Sequence, residues 1–447
     1  MRKIYFCGLF LALFCVFESS GQVTDYGAMD LEGVIETALE NNLQLQRSQV
    51  NLATQEANLI GNVGQRIPTF STGGSTGYRW GRSINPVTNL FENNRIGNVN
   101  LFANANMTIF AGQQIDNSIR QNRVDIEAAQ YNVLATENNI TLNVINLFIN
   151  VVFSKEQLRI AENQLKTTQE QLQNTIRLVD AGSLPLANRL DIEAQNATNE
   201  LEVVNAQNNL RIAKLNLAQA MQIPFREDMD VVAPELEPDN FALTDRSVDE
   251  IFDVALDLMP EIRAAELGIE SADYGVRIAK GGYYPTLGIG ASAFSNYIDQ
   301  FFLGERLDFG TQIRNNFSNS ANIQLNIPIL SNFRNRANVQ RARLQRRLSE
   351  IQEVETRNQL RQDIESAYTN ANAARQSYRA SQIRVSSLEE AFRISEQRFN
   401  AGAINFADYQ LAQNNFFNAQ ADLITSKYTY IFRVKVLDFY LGNSLKL

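Results

Sequence analysis

Apolar and polar residues alternate with a period of two in four segments of the chain. Within residues 98–109, Val99, Leu101, Ala103, Ala105, Met107 and Ile109 share one face. Asn98, Asn100, Asn104, Asn106 and Thr108 share the other, with Phe102 the exception. Within residues 321–329, Ala321, Ile323, Leu325, Ile327 and Ile329 oppose Asn322, Gln324, Asn326 and Pro328. Residues 69–80 and 286–297 are their partners, the latter aligning Leu287, Ile289, Ala291, Ala293 and Tyr297. Such alternation predicts strands with one apolar and one wet face. Lengths of about 9–12 residues suit tilted strands crossing a bilayer. For any one strand, a soluble sheet packing one face on a core is the commoner explanation, because the barrel signal per segment is weak. Four strands in two matched pairs, without others to complete a sandwich, favour a barrel. The polar, irregular segments 81–97 and 298–320 are expected as loops joining each pair.

A long run without Gly or Pro follows each strand pair, at 113–181 and 333–401. Each run, about 69 residues, makes a helix of roughly 100 Å at 1.5 Å per residue. Leu158, Leu165, Leu172 and Val179 recur every seven residues. Val385, Leu388, Phe392, Ser395 and Phe399 follow a three–four spacing. Thin stripes of this kind on a polar background predict coiled-coil seams, with the remaining surface wet. Each run stops at Ala-Gly, where a left-handed cap is expected at Gly182 and Gly402. Second helices follow at 186–223 and 406–441, so each unit ends in a helical hairpin with turns at 182–185 and 402–405.

The chain is therefore a duplication. Gly64 and Pro68 correspond to Gly281 and Pro285, and Ala181-Gly182 to Ala401-Gly402, at an offset of about 217 to 220 residues, too long for a solenoid repeat. The expected division is 22–223 for the first repeat, 224–247 for an acidic linker packed outside the helical body, and 248–447 for the second repeat. Four strands cannot close a membrane barrel, and an open edge is not viable in lipid. Two chains give eight strands and little lumen; three give twelve and a channel. The predicted fold class is an α+β membrane protein: a trimeric twelve-stranded β-barrel, four strands per chain, continued by a long α-helical coiled-coil tunnel.

The N-terminus carries an address. Arg2 and Lys3 precede an apolar stretch at 4–17, and Ser19-Ser20-Gly21 offers small residues before Gln22, so residues 1–21 are expected as a cleaved signal peptide. A lipoprotein is the rival reading, because Cys15 ends the apolar run, but the large Phe14 fits a lipobox poorly. The chain has no histidine, and both cysteines, Cys7 and Cys15, lie in the signal. The usual residues for thiol or imidazole catalysis, disulfides and zinc sites are thus lacking. No catalytic residue, metal or cofactor is expected. The formal net charge of −9 argues against nucleic acid as a partner.

Taken in order, these features resemble the TolC-like outer-membrane efflux protein family. Its most specific marks are Ala181-Gly182-Ser183-Leu184 followed by Leu190-Asp191-Ile192-Glu193-Ala194-Gln195, and Ala401-Gly402-Ala403-Ile404 followed by Leu411-Ala412-Gln413. Pro68 and Pro285 stand where that family turns from helix into strand. The resemblance implies a homotrimer in outer-membrane lipid, with a tunnel reaching into the periplasm. It further implies docking to a periplasmic membrane-fusion adaptor and an inner-membrane transporter, as the exit duct of an efflux or type I secretion system. In that family the hairpin turns contact the adaptor, which assigns this role to Gly182, Ser183, Leu184, Gly402, Ala403 and Ile404, with Leu184 and Ile404 expected as exposed apolar residues at the tips. Asp408 matches a family position where an acidic ring lines the pore constriction. The next family acid falls on Leu411, so the chain departs from the pattern there. The first repeat has Asn188 and Asp191 at the equivalent places. A capping role competes at Asp408, with Asn405 as N-cap and Asp408 at N3. Two other classes compete with the duct as a whole. A periplasmic adaptor or structural coiled-coil protein would share the helices but not the strand pairs. An enzyme would need chemistry that this residue set lacks.

Overall fold

A computed structural model describes residues 28–84, 89–232, 246–299 and 308–443. The expected signal at 1–21 and most of the linker lie outside the described residues. Helices α1 (Leu31–Asn41) and α2 (Leu43–Gly64) lead into strands β1 (Thr69–Ile84) and β2 (Phe91–Ala111), then helices α3 (Gln114–Asp180) and α4 (Leu186–Ala220). The second half repeats that order with α5 (Val248–Leu258), α6 (Pro260–Gly281), β3 (Thr286–Asp299), α7 (Phe309–Asn315), β4 (Ser318–Asn326), α8 (Arg334–Asn400) and α9 (Phe406–Tyr440).

The strands form one antiparallel sheet in the order β1-β2-β3-β4. Directly paired residues share a face, and the register sorts them by polarity. Phe70, Ala105, Ala291 and Ala321 lie across one face, as do Ile289, Met107 and Ile323. The opposite face carries Ser71, Asn104 and Ser292, and beside them Asn106, Gly290 and Asn322. Phe102 breaks the alternation because it covers Gly73 on the polar face, where a Cβ would come within 2.6 Å of its ring. An aromatic laid over a strand glycine restores packing that the glycine cannot supply.

Three expectations change here. β1 and β2 run past the anticipated ends at 80 and 98, taking in much of the supposed loop. Pairing continues through Arg82–Asn93 to Ile84–Phe91, with Arg82 stacked 4.4 Å from the Phe91 ring centre and Arg95 4.8 Å from that of Tyr78. A hairpin ladder needs only backbone groups, so polar side chains do not end it. The second loop contains α7, whose Gln312 bonds both the N–H and the C=O of Ile298 at 3.0 Å, standing in for a strand where β4 stops short. β4 itself ends at Asn326 rather than 329, since Pro328 has no N–H to donate.

The long helices match expectation to within a residue at each end. Each is most densely packed around its middle. In the first repeat, Val144, Ile145 and Phe148 of α3 meet α1 and the end of α4. In the second, Leu360, Ile364 and Ala371 of α8 meet α5 and the end of α9. Contrary to the expected outside position, the start of the linker enters the first core. Met229 and Val231 are buried there, and Val231 bridges to Met29. Lys155 holds the intervening Asp230 at 2.6 Å and Lys214 lies 3.3 Å away.

Candidate functional site

Beyond its core, each long helix runs to a hairpin turn. The backbone at both turns is the same. Gly182 has φ +75° and Gly402 φ +69°, a conformation that penalises any Cβ. The Gly182 N–H donates to Val179 O at 2.9 Å and Ser183 N–H to Leu178 O at 2.8 Å. Gly402 and Ala403 repeat this with Phe399 and Arg398. Both are Schellman caps. Gly182, Ser183, Gly402 and Ala403 are exposed. Leu184 and Ile404 are half-buried, against the expectation of bare apolar tips. Ile404 packs on a cluster of Ile192, Phe406 and Tyr409, with Leu172, Phe392 and Phe399 around it.

That cluster joins the two hairpins. The Phe399 and Tyr409 rings stack at 4.9 Å, and Phe392 lies 5.7 Å from both Tyr409 and Phe416. A polar layer accompanies it. Gln171 bonds the Tyr409 hydroxyl, and Gln410 of α9 donates to Gln195 of α4 at 2.5 Å. Asn199, buried, donates to Thr168 at 2.7 Å and accepts from Gln195 at 2.8 Å. Burial, aided by the Glu396 charge, pushes the Tyr409 phenol far above its ordinary value, so it stays protonated and available to donate. The heptad of leucines concealed this layer. Thr168 and Thr175, buried and seven apart, line the same seam. Counting hydroxyls together with apolar residues would have revealed them.

The candidate acids stand beside the cluster. Asp408 is exposed, one residue before buried Tyr409. The Asn405 side chain accepts its backbone N–H at 2.8 Å, so half of the anticipated capping box is present. Asp191 is exposed, one residue before buried Ile192, and five residues past the start of α4. Asn188 is half-buried. Leu411, one turn beyond Asp408, is 61% exposed, so an acid and a leucine occupy one open face of α9.

The layer is open along both sides. Contacts order the upper helices α2-α3-α6-α8, following the strands, and the lower ones α4-α3-α9-α8. The flanking members carry bare apolar residues: Leu43 and Val50 on α2, Leu201 and Val204 on α4, Leu344 and Leu348 on α8, all between 56% and 64% exposed. Among the described residues, β1 and β4 have unpaired outer edges. Among the described residues no helix is long and apolar enough to cross a membrane, and no acidic, His or Cys cluster could hold a metal.

Comparison with known proteins yields a consistent picture. The chain matches the family described as outer membrane efflux protein over residues 34–221 and 251–443. It is 23% identical over 248 residues to the outer membrane efflux protein BepC of Brucella suis biovar 1, covering 54% of this chain and 52% of that protein. It is 23% identical over 260 residues to the proteases secretion protein PrtF of Dickeya chrysanthemi, covering 57% and 54%. The chain thus spans about half the length of the curated relatives it matches. Among solved structures, the Campylobacter jejuni CmeC outer membrane channel superposes with a TM-score of 0.79 at 18% identity, covering 92% of this chain and 85% of that one. The Vibrio cholerae outer membrane protein VceC gives 0.75 at 18% identity, covering 93% and 97%.

Proposed function

The chain belongs to the outer membrane efflux protein family, and on that premise we propose that it is one protomer of a trimeric outer-membrane exit duct. One observation carries the proposal. A four-stranded sheet, apolar on one face and lined by Asn, Ser and Gly on the other, has two open edges and continues into helices of 67 residues each. Unpaired backbone groups are not tolerated in lipid, so β1 and β4 must meet strands of other copies. The bare residues of α2, α4 and α8 then meet at the same seams. Three copies give twelve strands, wide enough to leave a lumen bounded by the polar face.

At the far end, the exposed turns at Gly182, Ser183, Gly402 and Ala403 form a rim suited to a periplasmic adaptor, which would couple the duct to an inner-membrane transporter. Leu184 and Ile404 shape the rim from behind. Three-fold symmetry repeats whatever faces the axis, so Asp408 supplies a ring of like charge and Leu411 an apolar ring beside it. Asp191 contributes a second acid from the first hairpin. Such rings attract cations and narrow the opening. The relatives' names speak of efflux and of protease secretion; an exit duct serves both. A periplasmic adaptor is the weaker reading, because it has no use for a sheet with one lipid-compatible face. The test is oligomeric state and conductance of the purified full chain. A heat-sensitive trimer that conducts in planar bilayers is expected; a monomer that inserts and conducts would overturn the proposal.

A further inference from the structure

Where the sheet passes into the helices, the turn before α3 meets the end of α6 backbone to backbone. Gly112, at φ +59°, lies so close to Gly281 that a Cβ on it would stand 2.4 Å from the Gly281 carbonyl oxygen. Beside this contact is a pocket of about 300 Å³ lined by Arg120, Arg277, Lys280, Asn117, Phe110 and Tyr284. We infer that this pocket binds the anionic headgroup of a phospholipid in the periplasmic leaflet. The inference rests on the proposed reading that the apolar face of the sheet lies in lipid.

Charge is the first argument. Arg120, Arg277 and Lys280 are exposed, and none has an ion-pair partner among the described residues. Arg277 instead lies 4.9 Å from the centre of the Tyr274 ring. Three uncompensated cations around one pocket favour an anion. Helix capping explains part of this set only. Lys280 sits in the last turn of α6, where a cation complements the dipole. Arg120 sits near the start of α3, at the end that disfavours cations, so its charge has no such local cause.

A second observation points the same way. Asn117 is 93% buried at this pocket, yet its side chain makes no hydrogen bond within the described residues. Its amide atoms are not sealed from solvent but open to the pocket, where an anion's oxygens can accept from the NH2 group. The N-terminus of α3 lies there too, and its N-cap, Gln113, makes no side-chain capping bond. Anions gain from such a helix end.

Position selects a lipid. Phe110 pairs with Leu287 on the apolar face, at its helical margin, and Phe110 also lines the pocket. Acyl chains lying along Leu287, Ile289 and Phe110 would thus place their phosphate among the three cations, with Tyr284 at the interface. The duplication offers an internal control. At the offsets that align the repeats, Arg277, Lys280 and Tyr284 correspond to Ile60, Val63 and Ile67, while Asn117 and Arg120 correspond to Ala337 and Gln340. At these aligned positions the ends of α2 and α8 carry no charge, so the basic set is not dictated by the duplicated pattern.

The test is native mass spectrometry of the delipidated full-length protein with dioleoyl-phosphatidylglycerol, chain-matched phosphatidylethanolamine, or inorganic phosphate. Retention of phosphatidylglycerol over phosphatidylethanolamine is expected. The triple variant Arg120→Gln/Arg277→Gln/Lys280→Gln should lose that retention by roughly a hundredfold, about 3 kcal/mol for three interfacial cations. The charge-matched control Arg341→Gln/Arg343→Gln/Arg379→Gln, on α8, should keep it. Both variants are checked for heat-sensitive oligomers, so a folding defect is seen separately. An Asn117→Ala variant with intact oligomers should bind more weakly than wild type, which supplies a readout independent of net charge. Equal retention by wild type and the pocket triple variant overturns the site. Displacement by inorganic phosphate as effective as by phosphatidylglycerol overturns the lipid assignment in favour of a free anion. A wild type that inserts and conducts without lipid preference sinks this inference alone; one that does not insert sinks the duct as well.

Discussion

The polarity of the sheet can be tested at a depth fixed by the structure. Along β2 the apolar face runs from Phe110 to Val99. At about 3.3 Å per residue and a tilt of about 40°, that stretch spans roughly 28 Å of membrane normal. Ala105 lies near its middle, about 13 Å from the helical margin by the same rise and tilt. Its paired neighbours are Phe70 and Ala291, neither of which can neutralise a charge. Ala105→Arg should therefore cost about 2–4 kcal/mol per protomer, roughly 30- to 700-fold in the insertion equilibrium. Asn104→Arg, one residue away, points to the polar face and should cost under about 1 kcal/mol there. Leu325→Arg, paired with Leu287 at the margin, should be nearly as mild, at about 0–1 kcal/mol. Urea titration of folding into phospholipid vesicles measures all three. The order Ala105 far above Leu325 and Asn104 is expected. Equal costs at Ala105 and Asn104 would refute the assignment of faces, and a full cost at Leu325 would refute the depth.

Three further outcomes follow from the helical body. Ser183→Asp with Ala403→Asp alters only exposed rim positions, so export in cells should fall below about a tenth while the melting temperature of the oligomer holds; normal export would remove the docking role. Asp408→Asn with Asp191→Asn should lower cation selectivity in single-channel recordings; a loss of stability with selectivity unchanged would mark them as caps. Burial alone would raise the Asp230 carboxyl, but bonds from Lys155 and the Val231 N–H, with the Lys214 charge, outweigh it and hold it below its ordinary value. Its stabilisation is fully present above the unfolded-state value of about 3.9 and is lost as pH falls through the lower folded-state value. For so exposed a group the contribution is roughly 1 kcal/mol, so Asp230→Ala should lower the denaturation midpoint at pH 7, by less as pH falls through the folded-state value; an effect constant across the acid range would contradict the linkage.

Periodicity by itself determined the four strands, the two long helices and their hairpin turns, because each follows from local rules. Side-chain alternation, the absence of Gly and Pro over 113–181 and 333–401, and Gly182 and Gly402 at the stops act through neighbours in sequence. The open edges of a four-stranded sheet followed from counting. What the tertiary structure decided is long-range. Polar residues such as Arg82 and Asn93 read as loop, yet a ladder begun lower down carries them into strand. Met229 and Val231 looked like linker, yet Asp230 is held between Lys155 and Lys214 and draws them into the core. Ile404 looked bare at a tip, yet it packs on a cluster that draws in Ile192 from the first hairpin. Arg120 and Arg277, more than 150 residues apart in sequence, meet at one pocket because strand pairing sets α3 beside α6. No local pattern carries such a meeting; it exists only once the duplicated halves have paired.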